Sequence, residues 1–330
     1  MNAPLRIRPH PGAKGFTLVE MLVSVAVLAL MMVLVAQLVN GASAAIGRSG
    51  KHMDSDTEAR LLFNRMAVDL SRMVKRTDVD YSSFKMALSG TLGAAYGSTA
   101  IPANLQPGND MMAFYADTDG YFSGATQPTT GSLKASISLA AYMVANDLYT
   151  GLPGLQRLGK GQGWDPGPGG AWGDVAFLPL TLLGQWPLLF NGDPDYKTVG
   201  SQVFRFEYTY LLKPTSTHSG RLTITPWDPT VTPAHTSING FKDVAAIVVA
   251  IAVLDTTSRA IVTTSGYATL ASAFPDALDS STDPTYLGDI APAWNAVINS
   301  TNFASSAGIP KAAAAGVRVY ERYFYLDTQQ

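Results

Sequence analysis

The chain has 330 residues and no cysteine, which excludes disulfides, Cys-ligated zinc, iron–sulfur clusters and a thiol nucleophile. It is 47% apolar and 15% charged, so it is expected to fold, as one large or two modest domains. The formal net charge of −2 gives no electrostatic basis for a nucleic-acid partner.

The first 15 residues read M-N-A-P-L-R-I-R-P-H-P-G-A-K-G, a basic leader that contains three prolines and no acid. From Phe16 to Val39 the chain is apolar except for Thr17, Glu20, Ser24 and Gln37. A helix of this length matches a bilayer core of about 30 Å. Because basic residues lie only before this segment, the leader is predicted to stay in the cytoplasm and the remainder to be exported.

Three ordinary interpretations of this segment stay open. A conventional signal peptide could be cut at the A-x-A site of residues 42–44, but the apolar run is longer than a usual h-region of about 7 to 15 residues and contains Glu20. A plain signal anchor would make Glu20 accidental. A buried core helix is disfavoured by the length of the run.

The order of residues in K-G-F-T-L-V-E supports a more specific interpretation. The Gly-Phe pair and the acid five residues after Gly15 resemble the type III signal of type IV pilins and type II secretion pseudopilins. The resemblance implies that a membrane prepilin peptidase cuts between Gly15 and Phe16 and then N-methylates Phe16. In that family the acid corresponding to Glu20 sets the assembly register.

The resemblance also gives the charge of Glu20 a partner. Cleavage would create an amine on Phe16, one helical turn from Glu20 on the same face. In a filament, the amine of a neighbouring subunit can lie beside this carboxylate. Such pairing removes much of the cost of a charge at bilayer depth, which is at least about 2.5 kcal/mol.

Glycines at 41, 47 and 50 predict a kink or short linker over residues 40–53. A second, amphipathic helix is predicted over 54–76, opened by a Ser55–Glu58 capping box. Its outer face would pair Arg65 with Asp69, and basic residues at 72, 75 and 76 would lie in its last turn. Its apolar stripe is predicted to be core and comprises Ala59, Leu62, Phe63, Met66, Ala67, Leu70, Met73 and Val74.

The rest of the chain, 77–330, is predicted to be a strand-rich periplasmic domain, which makes the fold class α+β: a pilin-like long N-terminal helix packed on an antiparallel sheet. A hairpin-like turn, D-T-D-G, would join the first two of its strands, and Phe204, Phe206, Tyr208 and Tyr210 would share one face of a later strand. The predicted strands are 111–116, 121–123, 203–210, 221–225, 244–254, 259–264 and 317–326.

Two stretches are predicted to be insertions in the sheet. Residues 151–173 hold nine glycines and three prolines and are expected to form a long loop. Residues 265–316 are rich in Ala, Ser, Asp and Pro, with short helices such as 293–298.

No chemical site is complete in the sequence. Residues 154–161, G-L-Q-R-L-G-K-G, imitate a phosphate-binding loop but lack the Ser or Thr that follows its Lys. Asp117 and Asp119 are weak calcium candidates, for which a hydrated turn is the favoured interpretation because later EF-hand acids are missing. The four histidines are isolated and no G-x-S-x-G motif exists. We therefore expect no enzyme activity, no catalytic residues and no cofactor.

Beyond the motif the resemblance is architectural. The chain resembles the large J-type minor pseudopilins of type II secretion in the order of three segments. These are F-N-R-M-A-V-D-L-S-R-M-V-K-R, F-R-F-E-Y-T-Y-L and R-Y-F-Y-L. The chain also looks like the pilin-like cassette proteins of Verrucomicrobia-type bacteria, specifically cassette protein C.

These resemblances imply a minor filament subunit in the bacterial inner membrane. Its partners would be the prepilin peptidase, other pilins or pseudopilins, the inner-membrane assembly platform and membrane lipid. A membrane-anchored or secreted hydrolase or binding domain with an ordinary signal is the alternative.

Overall fold

The computed structural model of the protein describes residues 15–75, 81–84, 108–121, 134–147, 150–162, 195–214, 220, 222–224, 226, 241, 243–277 and 289–326. The chain divides into two compact units, Met1–Gly50 and Lys51–Gln330, and each is described by itself. The predictions for the leader before Gly15, for Arg76, for residues 122–123 and for residues 163–173 lie outside the described residues.

The first unit is dominated by an apolar helical segment. Helix α1 runs from Leu18 to Ser71. Within it, Leu18–Ser43 has a mean hydropathy of 2.7 over its most apolar window and none of that window is buried. By length and composition this segment can cross a membrane, and its exposure distinguishes it from a buried core helix.

Helix α1 is continuous through residues 40–53, where the glycines favoured a linker. The linker is therefore wrong as a non-helical element, whereas a kink stays a prediction. The helix also ends at Ser71, so that Arg72 and Lys75 follow its last turn rather than occupying it. Arg72 instead donates from Nη1 to the carbonyl of Asp117 at 3.3 Å.

The apolar stripe predicted for residues 54–76 is confirmed as core in the second unit, although its last two members, Met73 and Val74, follow the end of α1. Six of its residues are buried, and Ala67 and Val74 are partly buried. The buried residues pack with side chains from both sheets of this unit in one cluster that includes Phe114, Tyr142, Phe206 and Ile251. Burial of such side chains, each contributing about 1.5–3 kcal/mol, holds the helix to the sheets.

The first sheet is built from β1 to β7. The strands are Tyr81–Phe84, Met111–Ala116, Gly120–Tyr121, Lys134–Ala135, Ser138–Asn146, Pro153–Gly161 and Lys197–Gly200. Among the described residues their order is β1-β2-β5-β6-β3-β4, with β7 also paired to β6. The predicted hairpin is wrong, because β5 and β6 lie between β2 and β3 in the sheet. The residues that connect β2 to β3 pass the start of β5, where the hydroxyls of Thr118 and Ser138 share a hydrogen bond.

The expectation of a loop over 151–173 is wrong for its first half. Residues 153–161 form β6, which pairs with β5 along its whole length. Of the glycines that suggested a loop, Gly161 serves close packing: a Cβ on it would lie 2.9 Å from the carbonyl oxygen of Gly120. Where β3 lies parallel to β6, glycine is needed for space rather than for a turn.

The second sheet has the order β11-β10-β8-β9 among the described residues. Its strands are Val203–Leu212 (β8), Leu222–Thr223 (β9), Val244–Leu254 (β10) and Val317–Tyr325 (β11). Strand β10 lies between β8 and β11, and β9 pairs with β8. The strands predicted at 203–210, 244–254 and 317–326 are confirmed to within two residues at either end. Together with the helices, these antiparallel sheets confirm the predicted α+β class.

Strand β8 departs from simple alternation at its start. A register shift between the Val203 and Arg205 pairings leaves Phe204 as a bulge. Phe204 therefore packs in a different cluster from Phe206, Tyr208 and Tyr210, and its ring lies 5.6 Å from that of Phe274. The predicted shared face holds only for the last three aromatic residues.

Short helices cover the other face of the second sheet. They are Thr256–Arg259 (α2), Thr264–Ser272 (α3), Ile290–Ile298 (α4), Phe303–Ser306 (α5) and Lys311–Ala314 (α6). The predicted strand at 259–264 is therefore wrong, since α2 ends and α3 begins there. The helix around 293–298 is confirmed, and Trp294, Tyr267 and Phe303 are buried against Phe204 and Val317.

The two sheets are joined by side chains that precede β2. Asn109 Oδ1 accepts from the Phe206 N–H at 2.6 Å, and Asp110 Oδ2 accepts from the Tyr208 N–H at 3.1 Å. The hydroxyl of Tyr208 returns a bond to the carbonyl of Met111 at 3.0 Å. These buried contacts satisfy backbone N–H groups along part of the β8 edge opposite β10.

Candidate functional site

The predicted processing segment lies immediately before α1. Gly15, Phe16 and Thr17 are not helical, and Leu18 is the first helical residue. Phe16 is 80% exposed, and a Cβ on Gly15 would have nothing within 4 Å. In the uncut chain Phe16 therefore precedes the helix. That its amine shares a helical face with Glu20 after cleavage stays a prediction.

Glu20 begins the helix through a contact that the sequence analysis missed. Its Oε2 accepts from both the backbone N–H and the hydroxyl of Thr17 at 2.9 Å, and the Glu20 N–H donates to Thr17 Oγ1 at 3.3 Å. This reciprocal pair is the T-x-x-E form of a capping box. The pattern T-L-V-E was visible in the sequence, but the same rule was applied instead to Ser55 and Glu58.

The Ser55–Glu58 capping box is wrong because α1 is already helical before it. Both side chains instead bind the turn that leads into β8. Ser55 Oγ donates to Gln202 Oε1 at 3.0 Å, and Glu58 Oε1 accepts from the Gln202 N–H at 2.7 Å. These bonds fix the amphipathic half of α1 to the second sheet's first strand.

The predicted exposed pair of Arg65 and Asp69 is also corrected. Asp69 is fully buried, and Arg65 approaches it only to 3.8 Å. The main partner is Arg157 of β6, whose Nε and Nη2 lie 2.6 and 3.0 Å from the two carboxylate oxygens. Tyr142 of β5 donates its hydroxyl to the same carboxylate.

Electrostatics in this cluster favour the paired state. Burial raises the pKa of Tyr142, and the negative charge of Asp69 raises it further, so the hydroxyl stays a donor. Burial by itself would lower the pKa of Arg157, but its hydrogen bonds and attraction to Asp69 outweigh this and raise the pKa. The cluster is a salt bridge between α1 and the first sheet.

A second buried cluster fixes the helical layer to the second sheet. Arg205 is fully buried, with Nη2 bonded to Asp276 and 3.1 Å from Glu207 Oε1. Its guanidinium lies 5.6 Å from the ring of Trp294. The burial of Arg205 and Glu207 was not predicted from the sequence, because the helices that cover them are distant in sequence.

The weak calcium candidates lie in the turn between β2 and β3, where Asp117 and Asp119 are exposed. Within the described ranges, no three His, Asp or Glu residues lie together as a metal site would require. Residues 154–161, whose sequence imitates a phosphate-binding loop, lie in the extended strand β6. A phosphate-binding loop instead leads into a helix.

Comparison with known proteins locates the recognisable part of the chain at its N-terminus. The family model described as the prokaryotic N-terminal methylation motif matches residues 11–36. No curated protein and no solved structure matches the chain.

The match and the apolar helix make the N-terminal part of the chain similar to that of pilin-like proteins. The chain carries a prepilin-type N-terminal motif on an exposed apolar helix, followed by an α+β region, as in a processed pilin-like or pseudopilin-like subunit. This motif implies processing by a prepilin peptidase and assembly with other pilins. It fits anchoring in the inner membrane and points to a structural rather than catalytic protein.

Proposed function

We propose that the protein is a non-enzymatic minor pilin or pseudopilin subunit of a type II secretion-like or type IV pilus-like filament. A prepilin peptidase cuts between Gly15 and Phe16 and methylates the new amine. The helix after Phe16 then packs with those of other subunits, and the domain after it faces the periplasm. An inner-membrane assembly platform receives the processed subunit.

One observation carries this proposal: the methylation motif at 11–36 overlaps an exposed apolar helix whose only ionisable side chain before residue 43 is Glu20. An isolated carboxylate at bilayer depth is unfavourable unless it meets an opposite charge. Removal of the leader supplies that charge on each subunit. The bulk of the second unit favours a minor or tip component over a repeated shaft subunit.

Mass spectrometry of the mature N-terminus tests the proposal. We expect the purified membrane protein to begin with N-methyl-Phe16. A first residue at Ala45 would contradict the proposal and support the alternative, a membrane-anchored or secreted hydrolase or binding domain with an ordinary signal. Localisation of the filament would then separate a periplasmic pseudopilus from a surface pilus.

Replacing Glu20 by leucine is expected to leave membrane insertion intact and to reduce incorporation into filaments. Leucine makes the segment more apolar, so insertion is favoured, but it removes the charge that would meet a neighbour's amine. It also removes the two bonds that the Glu20 carboxylate accepts from Thr17, whereas Thr17 Oγ1 can still accept from the backbone N–H of residue 20. The measurement is the fraction of protein in sheared filaments relative to the membrane.

Two further variants separate the effect of the Glu20 charge from the effect of its hydrogen bonds with Thr17. Glu20→Gln keeps an acceptor for Thr17 but has no charge, so it should fail like leucine if the charge is what assembly needs. Ser24→Ala removes only the exposed bond to the Glu20 carbonyl and should assemble normally. Normal incorporation of Glu20→Gln would refute the pairing of charges.

A further inference from the structure

A cleft in the second unit lies where three segments of the chain meet. The β5–β6 turn, the β7–β8 junction and helix α2 with the residue after it enclose about 510 Å³. Pockets for small ligands typically measure about 300–1,000 Å³, so the cleft is large enough for one. It is separate from the processing segment and is not explained by assembly through α1.

Arg259 is the cationic group of this cleft. Its Nη2 donates to the carbonyl of Pro153 at 3.3 Å, which anchors the half-buried side chain along the wall. The guanidinium also interacts with the Tyr267 hydroxyl, whose pKa it lowers against the effect of burial, and the five N–H donors of an arginine leave some for a further acceptor. A guanidinium held in this way presents further N–H donors to a planar acceptor such as a carboxylate.

The acid in the cleft does not compete for this role. Asp147 Oδ1 accepts from the Thr150 N–H at 2.9 Å and from its hydroxyl at 3.2 Å, and Asp147 Oδ2 accepts from Thr198 Oγ1 at 3.2 Å. Its carboxylate is therefore committed to shaping the β5–β6 turn. Arg259 is the charge that remains to meet a ligand.

Thr256 adds a second donor beside Arg259. Its Oγ1 accepts from Gln202 Nε2 at 3.3 Å, which leaves its own O–H to donate. Leu152, Pro153 and Ala260 supply an apolar wall. Donors on one side and apolar carbon on the other define the chemistry of the occupant.

We propose that this cleft binds a carboxylate carried on a short apolar carbon frame. Arg259 and Thr256 bind the carboxylate, and Leu152 and Ala260 contact the apolar frame. Such a carboxylate can belong to a free acid or to the C-terminal residue of a peptide, and both present the same group to Arg259.

Titration of the full chain in detergent micelles tests this site. N-acetyl-leucine represents a peptide C-terminus and 4-methylpentanoate a free acid; binding is followed by NMR of the Leu152 and Ala260 methyl groups. Ligands of this size are expected to bind with a dissociation constant on the order of 1 mM. Tighter binding of N-acetyl-leucine indicates a peptide end, and equal binding indicates that a free acid suffices.

Matched probes and variants decide whether the proposal stands. N-acetyl-leucinamide lacks the charge and sulfate lacks the apolar frame, so both should bind about tenfold more weakly. Arg259→Gln should weaken the binding of N-acetyl-leucine by about tenfold or more, and Thr256→Val should weaken it by a few-fold. Arg60→Gln, on the exposed face of α1, should change nothing.

Equal binding of the amide or of sulfate would overturn the proposal, as would unchanged affinity in Arg259→Gln with an unchanged unfolding midpoint. None of these outcomes depends on cleavage at Gly15, so the proposed ligand site and the proposed filament function are tested independently.

Discussion

Replacing Gly15 by alanine is expected to leave most of the protein with its 15-residue leader attached. The proposed cut lies after this glycine, where an added methyl group would obstruct the approach of the peptidase. Within the chain the same methyl group meets nothing within 4 Å, so folding should be unaffected. Intact-mass measurement of the membrane protein gives the ratio of cut to uncut chains.

Gly41→Ala is the matched control, because its Cβ also has nothing within 4 Å. It adds the same methyl group inside α1, where alanine favours the helix by about 1 kcal/mol over glycine. Complete cleavage of Gly41→Ala beside an uncut Gly15→Ala assigns the effect to the processing site. Equal cleavage of both variants would contradict cutting at Gly15.

Asp69→Asn is expected to lower the free energy of unfolding by about 3–5 kcal/mol. It leaves the guanidinium of Arg157, whose side chain is only 11% exposed, without its counter-charge. A loss of this size is a large share of the roughly 5–15 kcal/mol that stabilises a domain. Urea unfolding followed by tryptophan fluorescence measures it.

Two companion variants test the cause of that loss. Arg157→Met placed in the Asp69→Asn background removes the unpaired charge and should restore part of the lost stability. Arg65→Met removes the exposed arginine that lies 3.8 Å from the same carboxylate and should cost less than about 1 kcal/mol. If Arg65→Met proved as harmful as Asp69→Asn, the assignment of Arg157 as the main partner would be wrong.

Sequence patterns predicted correctly those helices and strands whose surroundings stay the same, buried or exposed on one face, along their whole length. The apolar stripe of α1 repeats at helical spacing, and β10 is apolar throughout, so both could be recognised without their neighbours. The processing motif is similarly local, since its meaning depends on the order of residues from Gly15 to Glu20. For this reason the N-terminal site could be described from the sequence more fully than the rest.

The errors arose where distant segments decide the role of a residue. Asp69 looked like half of an exposed helical pair because its partner Arg157 lies 88 positions away. Strand β6 looked like a loop because its glycines accommodate a neighbouring backbone rather than a turn. Ser55 and Glu58 matched a capping pattern whose backbone groups were already satisfied by a longer helix.

The contacts of Asn109 and Asp110 with β8 also bear on how copies of this chain avoid sticking to one another. An unpaired strand edge is a template for unwanted pairing between molecules. Here two side chains occupy the N–H groups of Phe206 and Tyr208, and β9 pairs farther along the same edge. These bonds leave fewer free backbone groups on this edge of β8 for pairing with a strand of another molecule.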